Sequence, residues 1–135
     1  MTNINKNINN RERAWALINL DNVRHNYLEI KKNTKSEILS IVKADGYGHG
    51  GAQIAEALLK IGAKYFGVAT FEEGLAIKNT RSDNKNIKIL ILGFTPPDKL
   101  KSVIENNLEQ TIFDFETAKK ISDIATKIKK LARVH

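Results

Sequence analysis

Between Ile38 and Val134 the chain switches repeatedly between two apolar periods. Ile38-Leu39-Ser40-Ile41-Val42, Tyr65-Phe66-Gly67-Val68-Ala69 and Ile87-Lys88-Ile89-Leu90-Ile91-Leu92 are short, nearly continuous apolar runs. That is the pattern of strands buried on both faces. Gln110-Thr111-Ile112 is a weaker strand, and Leu131-Ala132-Arg133-Val134 opens another. Between them, helical spacing recurs: Ile54, Leu58 and Ile61; Thr70 to about Asn79; Asp98 to Asn106; and Ala118, Ile121, Ala125 and Ile128. Upstream, Ala16-Leu17-Ile18 predicts a short strand. Val23, Tyr27, Leu28 and Ile30 predict an apolar helix stripe after it.

Boundary residues sharpen these elements. Asp21 suits an N-cap, since a carboxylate accepts from free helix N–H groups. Gly62 suits a helix C-cap. Thr70 and Glu73 fit a capping box, with Glu73 reaching back. Asp114 or Thr117 starts the last helix. Ser82-Asp83-Asn84-Lys85-Asn86 forms a polar turn, and Gly93-Phe94-Thr95-Pro96-Pro97 a loop. Strict strand–helix alternation implies a parallel sheet. An open doubly wound sheet fits, and so does part of a (β/α)8 barrel, which in full takes about 250 residues. Residues 1–14, Asn-rich and without apolar period, are expected to be a flexible leader. Residues 15–135 are expected to form one domain, starting at Trp15.

Composition narrows the function classes. Hydrophobic residues make up 41% and charged residues 27%, a globular balance. No apolar run approaches the roughly 20 residues of a membrane span. The first residues, Met1-Thr2-Asn3-Ile4-Asn5-Lys6, lack a signal-peptide block, so a cytoplasmic protein without membrane partners is expected. The chain has no cysteine, which removes disulfide and thiol chemistry. The net charge of +7 raises the question of nucleic acid. Yet the densest basic stretch, Lys119, Lys120, Lys127, Lys129, Lys130 and Arg133, has no interleaved aromatics on which bases could stack. A solvated helix face accounts for it better.

One stretch stands apart: Val42-Lys43-Ala44-Asp45-Gly46-Tyr47-Gly48-His49-Gly50-Gly51 holds four of the eight glycines. Lys43 falls at the carboxyl end of a strand, where α/β folds place their active sites. Burial there would lower a lysine pKa and favour Schiff-base formation. Glycines allow close backbone approach to a ligand, and helix-start N–H groups suit a phosphate. A strand-end lysine snorkelling to solvent beside a glycine-rich turn is an equal alternative. His49 has no second metal ligand at suitable spacing and suits a loop-satisfying role.

The segment Val42-Lys43-Ala44-Asp45-Gly46-Tyr47-Gly48-His49-Gly50 closely resembles the pyridoxal-phosphate attachment motif of alanine racemases. Trp15-Ala16-Leu17-Ile18-Asn19-Leu20-Asp21 resembles that family's opening strand and helix cap. Gly67-Val68-Ala69 through Glu73-Gly74-Leu75-Ala76, and Ile89-Leu90-Ile91-Leu92-Gly93, resemble its following units. Leu17, where an acidic residue is common, and Asp45-Gly46, where Asn-Ala is frequent, depart from its pattern. The resemblance implies a partial TIM barrel binding pyridoxal 5′-phosphate and interconverting L- and D-alanine for peptidoglycan. It implies that Lys43 is the Schiff-base lysine and one-face proton shuttle. Tyr47 would be the cofactor-phosphate ligand and Leu92 an apolar contact to the cofactor ring. It further implies a homodimer. The family's opposite base, a tyrosine donated across the dimer, and its arginine at the pyridine nitrogen match positions past His135. The 135 residues alone are therefore expected to be catalytically incomplete, binding the cofactor weakly or acting with a complementing chain.

Overall fold

Five strands pair in sequence order in the computed structural model, which describes Ala14, residues 16–80 and residues 87–135. They are β1 (Leu39–Ile41), β2 (Tyr65–Val68), β3 (Lys88–Ile91), β4 (Glu109–Gln110) and β5 (Arg133–Val134), each parallel to the next. The helical elements are α1 (Leu20–Lys32), α2 (Lys43–Gly48), α3 (Gly51–Leu59), α4 (Phe71–Lys78), α5 (Leu100–Glu105) and α6 (Phe115–Ile128), with a 3-10 turn at Pro97–Lys99. A doubly wound sheet would reverse strand order at a switch point. No reversal occurs among the described residues, so the fold is an arc of a (β/α) barrel. The leader before Ala14, Trp15 and the Ser82–Asn86 turn lie outside the described residues.

The upstream expectations need two corrections. Ala16–Ile18 is not a strand: it has no ladder partner among the described residues, and Leu17 is 78% exposed. An isolated extended segment has nothing to hydrogen-bond with. The cap of α1 is Asn19, not Asp21. Asn19 has the extended backbone a cap requires, at φ −93° and ψ 103°. Its Oδ1 accepts from the amides of Asp21 at 2.9 Å and Asn22 at 3.2 Å. Asp21 instead pairs with Arg24 in the first turn. On α1 only Val23 and Tyr27 pack on the core; Leu28 and Ile30 are exposed.

Other ends form as their residues dictate. Gly62 takes φ +89°. The amides of Gly62 and Ala63 close on the carbonyls of Leu59 and Leu58, each at 3.1 Å, a Schellman ending for α3. Asp114 caps α6, accepting from the Thr117 amide at 2.7 Å.

Alternation along the strands sorts the sheet into two faces. Val42, Phe66, Val68, Ile89 and Ile91 pack with Ala55, Leu58, Ile77, Val103 and Leu108 into the main core between sheet and helices. Leu100, Ile104, Ile121 and Ala125 form a second cluster between α5 and α6. The opposite parity carries Leu39, Ile41, Gly67, Leu90 and, just past β3, Leu92. Toward the amino ends of the strands that face becomes polar. The Tyr65 hydroxyl donates to Glu109 Oε2 at 2.7 Å. Lys88 bonds Glu37 at 2.9 Å and lies 5.3 Å from the Tyr65 ring centre.

Burial, followed by the bond to Glu109, pushes the Tyr65 phenol up to about 12 from 10.0. The folded value lies above the unfolded one, so this contribution to stability is complete below pH 10.0 and is lost as pH rises through about 12. An alkaline titration should therefore find a tyrosine step near pH 12. Tyr65→Phe should remove that late step and flatten the stability loss across the same window. A step near pH 12 that survives the substitution would contradict the assignment, whereas the smaller upward shift of Tyr27 should persist.

Candidate active site

The Val42 amide still donates to the Gly67 carbonyl at 2.8 Å, so β1 stays pinned to β2 up to the residue before Lys43. Past it the backbone turns left-handed. Ala44, Asp45, Gly46 and Tyr47 have φ of 51°, 52°, 63° and 57°, with ψ between 38° and 49°. For residues bearing a Cβ this costs roughly 1–2 kcal/mol each, so the surroundings must hold it. The Gly46 amide reaches the Val42 carbonyl at 2.9 Å, and the Gly50 amide reaches the Asp45 carbonyl at 2.8 Å. His49 Nδ1 lies 3.0 Å from the carbonyls of both Gly46 and Tyr47. Carbonyls only accept, so Nδ1 carries the proton, and His49 serves the loop.

Gly51 is the packing keystone of this turn. A Cβ there would sit 2.9 Å from both the Gly46 nitrogen and the Val42 oxygen. Its amide donates to Asp45 Oδ1 at 2.8 Å. The chain's own Asp45 carboxylate thus takes the first of the free amides at the α3 start.

Lys43, Tyr47 and Leu92 all stand at the carboxyl-end side of the sheet. Lys43 is half-buried, follows Leu39 and Ile41 at the same strand parity, and its amine makes no hydrogen bond or ion pair among the described residues. Tyr47 is 59% exposed, and its hydroxyl likewise has no partner there. Leu92 meets Ile41 over Gly67. A Cβ on Gly67 would lie 2.6 Å from Ile41 Cδ1 and 3.4 Å from Leu92 Cδ1, so the bare glycine lets these side chains close over the strand. The Gly93 amide donates to the Ala69 carbonyl at 3.1 Å, and buried Gln110 donates to the Gly93 carbonyl at 2.9 Å. The loops after β2 and β3 are thereby tied together.

Glu73 does more than the capping box predicts. Thr70 Oγ1 accepts from the Glu73 amide at 3.3 Å, as a cap should. The Glu73 carboxylate, however, passes over Thr70. Oε2 accepts from the Ala69 amide at 2.7 Å, and Oε1 accepts from the Ala44 amide, next to Lys43, at 2.8 Å. Nothing at short sequence spacing signals the second bond, which spans 29 residues.

Strand order and loop placement define a (β/α)-barrel segment whose candidate residues Lys43, Tyr47 and Leu92 gather at the carboxyl ends of the strands. Within that class the chain belongs to the alanine racemase N-terminal domain family, whose model matches residues 18–135. The alanine racemase of Clostridium novyi (strain NT) is 42% identical over 124 residues, which cover 90% of this chain and 31% of that protein. The Clostridium difficile 630 alanine racemase structure aligns with a TM-score of 0.76 at 37% identity, covering 87% of this chain and 31% of its own. A Bartonella henselae alanine racemase with covalently bound pyridoxal phosphate aligns with a TM-score of 0.79 at 25% identity, covering 87% of this chain and 32% of its own. The chain thus spans about a third of the length of the relatives it matches.

Gly51→Ala should cost about 1–3 kcal/mol, because the methyl meets backbone on both sides. A denaturation midpoint measures this. An unchanged midpoint would show that the turn can move aside without penalty.

Proposed function

We propose that these residues form the cofactor-anchoring part of a pyridoxal 5′-phosphate-dependent racemase that interconverts L- and D-alanine. The observation that carries the proposal is the half-buried, uncommitted amine of Lys43 at the end of β1. The donor set suits the cofactor. An amine is available for its aldehyde, a free phenol at Tyr47 for its phosphate, and an apolar patch at Ile41 and Leu92 for its ring. When bound, the cofactor supplies an electron sink for the charge left by the substrate Cα proton.

The chain's own groups would divide the remaining work. Lys43 Nζ takes or returns the Cα proton on one face of the substrate, as a general base or acid. The Tyr47 hydroxyl donates to the phosphate and fixes its position. Leu92 and Ile41 keep water from one side of the site. Supply of D-alanine to peptidoglycan, in the cytoplasm and by a homodimer, is the setting that this activity fits.

Racemisation also requires a base on the opposite face, and at this end of the sheet the Tyr47 phenol is assigned to the phosphate while His49 Nδ1 is committed to the turn's own carbonyls. Tyr65 opens β2 at the far end and donates to Glu109. Tyr27 lies on α1, its pKa raised by burial and then by Glu37. The 135-residue chain by itself is accordingly proposed to hold the cofactor without turning over alanine. A lost general base costs on the order of 10²–10⁴-fold.

Borohydride fixation in the presence of pyridoxal phosphate, followed by peptide mapping, should place the label on Lys43. Lys43→Ala should abolish it. D-alanine formation by the 135-residue chain should stay at background. A label spread evenly over surface lysines would refute the cofactor assignment, and robust D-alanine formation would refute the one-base view.

A further inference from the structure

We propose that Glu73 is a positioning residue for Lys43, its carboxylate clamping the start of the left-handed turn so that the lysine backbone is held against β2. The inference rests on the assignment of Lys43 as the cofactor lysine and adds a residue to that site. Three observations carry it. The two carboxylate oxygens are divided between two loops, one on the Ala44 amide at 2.8 Å and the other on the Ala69 amide at 2.7 Å. Ala44 is the first residue of the left-handed run and is covalently next to Lys43. Glu73 is fixed at its own base, because its amide donates to Thr70 Oγ1 in the first turn of α4.

The chemistry favours a carboxylate at this place. A bond from an amide to an ionised acceptor is about twice as strong as a neutral one. The Lys43–Ala44 peptide leads the chain into left-handed backbone, and its N–H is the one that Glu73 holds. Ala44 has only a methyl with which to pack and is exposed. Without Glu73, the peptide can relax toward ordinary right-handed or extended backbone. Lys43 Cα would swing with it, and an amine on four rotatable bonds amplifies a small change at its base. The neighbouring carboxylate, Glu72, acts elsewhere and pairs with Lys99 on the outer surface.

Glu73→Gln is the nearly isosteric test. One Gln atom can still accept from an amide, but the other is an NH2 that faces an N–H. Glu73→Ala removes both bonds, and Glu72→Gln is the control. The probe is pyridoxal phosphate added to the protein, read by the visible absorption it develops and by the rate of borohydride-fixed label at Lys43. Amide exchange is followed at Ala44, Ala69 and the core residue Ile89. We expect faster exchange at Ala44 and Ala69 with Ile89 unchanged. Labelling of Lys43 should slow roughly tenfold in Glu73→Ala and less in Glu73→Gln, as expected for bonds to a charged group. The absorption should shift in both variants, while Glu72→Gln matches the parent.

Labelling of Lys43 within twofold of the parent in both Glu73 variants would overturn the inference alone. So would exchange that rises equally at Ile89, because Glu73 would then be a general stabiliser. Failure of the unaltered chain to label at Lys43 would overturn the cofactor assignment, and this inference with it.

Discussion

The left-handed turn at Ala44–Tyr47 is the constraint to which the neighbouring structure is fitted. Such a turn is unfavourable for three of its four residues, and it stands directly on the end of β1. Asp45 and His49 hold it from within, Glu73 from the next unit, and Gly51 by giving up its side chain. Backbone strain of this kind persists only where the surroundings over-determine it, and it clusters at functional sites. Here it delivers a tyrosine and a lysine to one end of the sheet within five residues.

The turn also separates two kinds of interaction along each strand. On the helix-facing side, Val42 just past β1, Phe66 and Val68 of β2, and Ile89 and Ile91 of β3 interlock with α3 and α4 in a core without charge. On the other side, an apolar middle gives way to the Tyr65, Glu109, Lys88 and Glu37 group at the amino ends. The reactive candidates lie at the carboxyl ends, beyond the apolar middle. The polar group and the lysine are therefore kept apart by Leu39, Ile41 and Leu90.

Much of this was legible in the sequence. The three long apolar runs identified β1 to β3 because continuous β-branched stretches have few other uses. Gly62 marked the end of α3 because the left-handed residue there favours glycine. The parallel order followed from alternation; periodicity left a barrel arc and a doubly wound sheet both open, the family resemblance implied the arc, and the strand order agrees with it. What was hidden depended on partners distant in sequence. Ala16–Ile18 has strand composition but no neighbour to pair with. Asn19 and Asp21 are both good cap residues, and backbone angle decided between them. Glu73 had a local role that satisfied every nearby rule, so its bond to Ala44 gave no signal. Asp45, an ordinary acid within a glycine cluster, proved to accept from the first amide of α3.

Strand pairing in strict sequence order has a consequence for how the protein is made. Each strand hydrogen-bonds with the one synthesised just before it, β2 with β1, β3 with β2, and so on. Among the described strands none waits for a partner distant in sequence, so loop-closure entropy is met in small steps. Chains emerge from the ribosome at about 5–20 residues per second, far more slowly than a short loop closes. The clamp from Glu73 to Ala44 can therefore form as soon as α4 is out, before β3 has emerged, and the lysine loop is set early in the life of the chain.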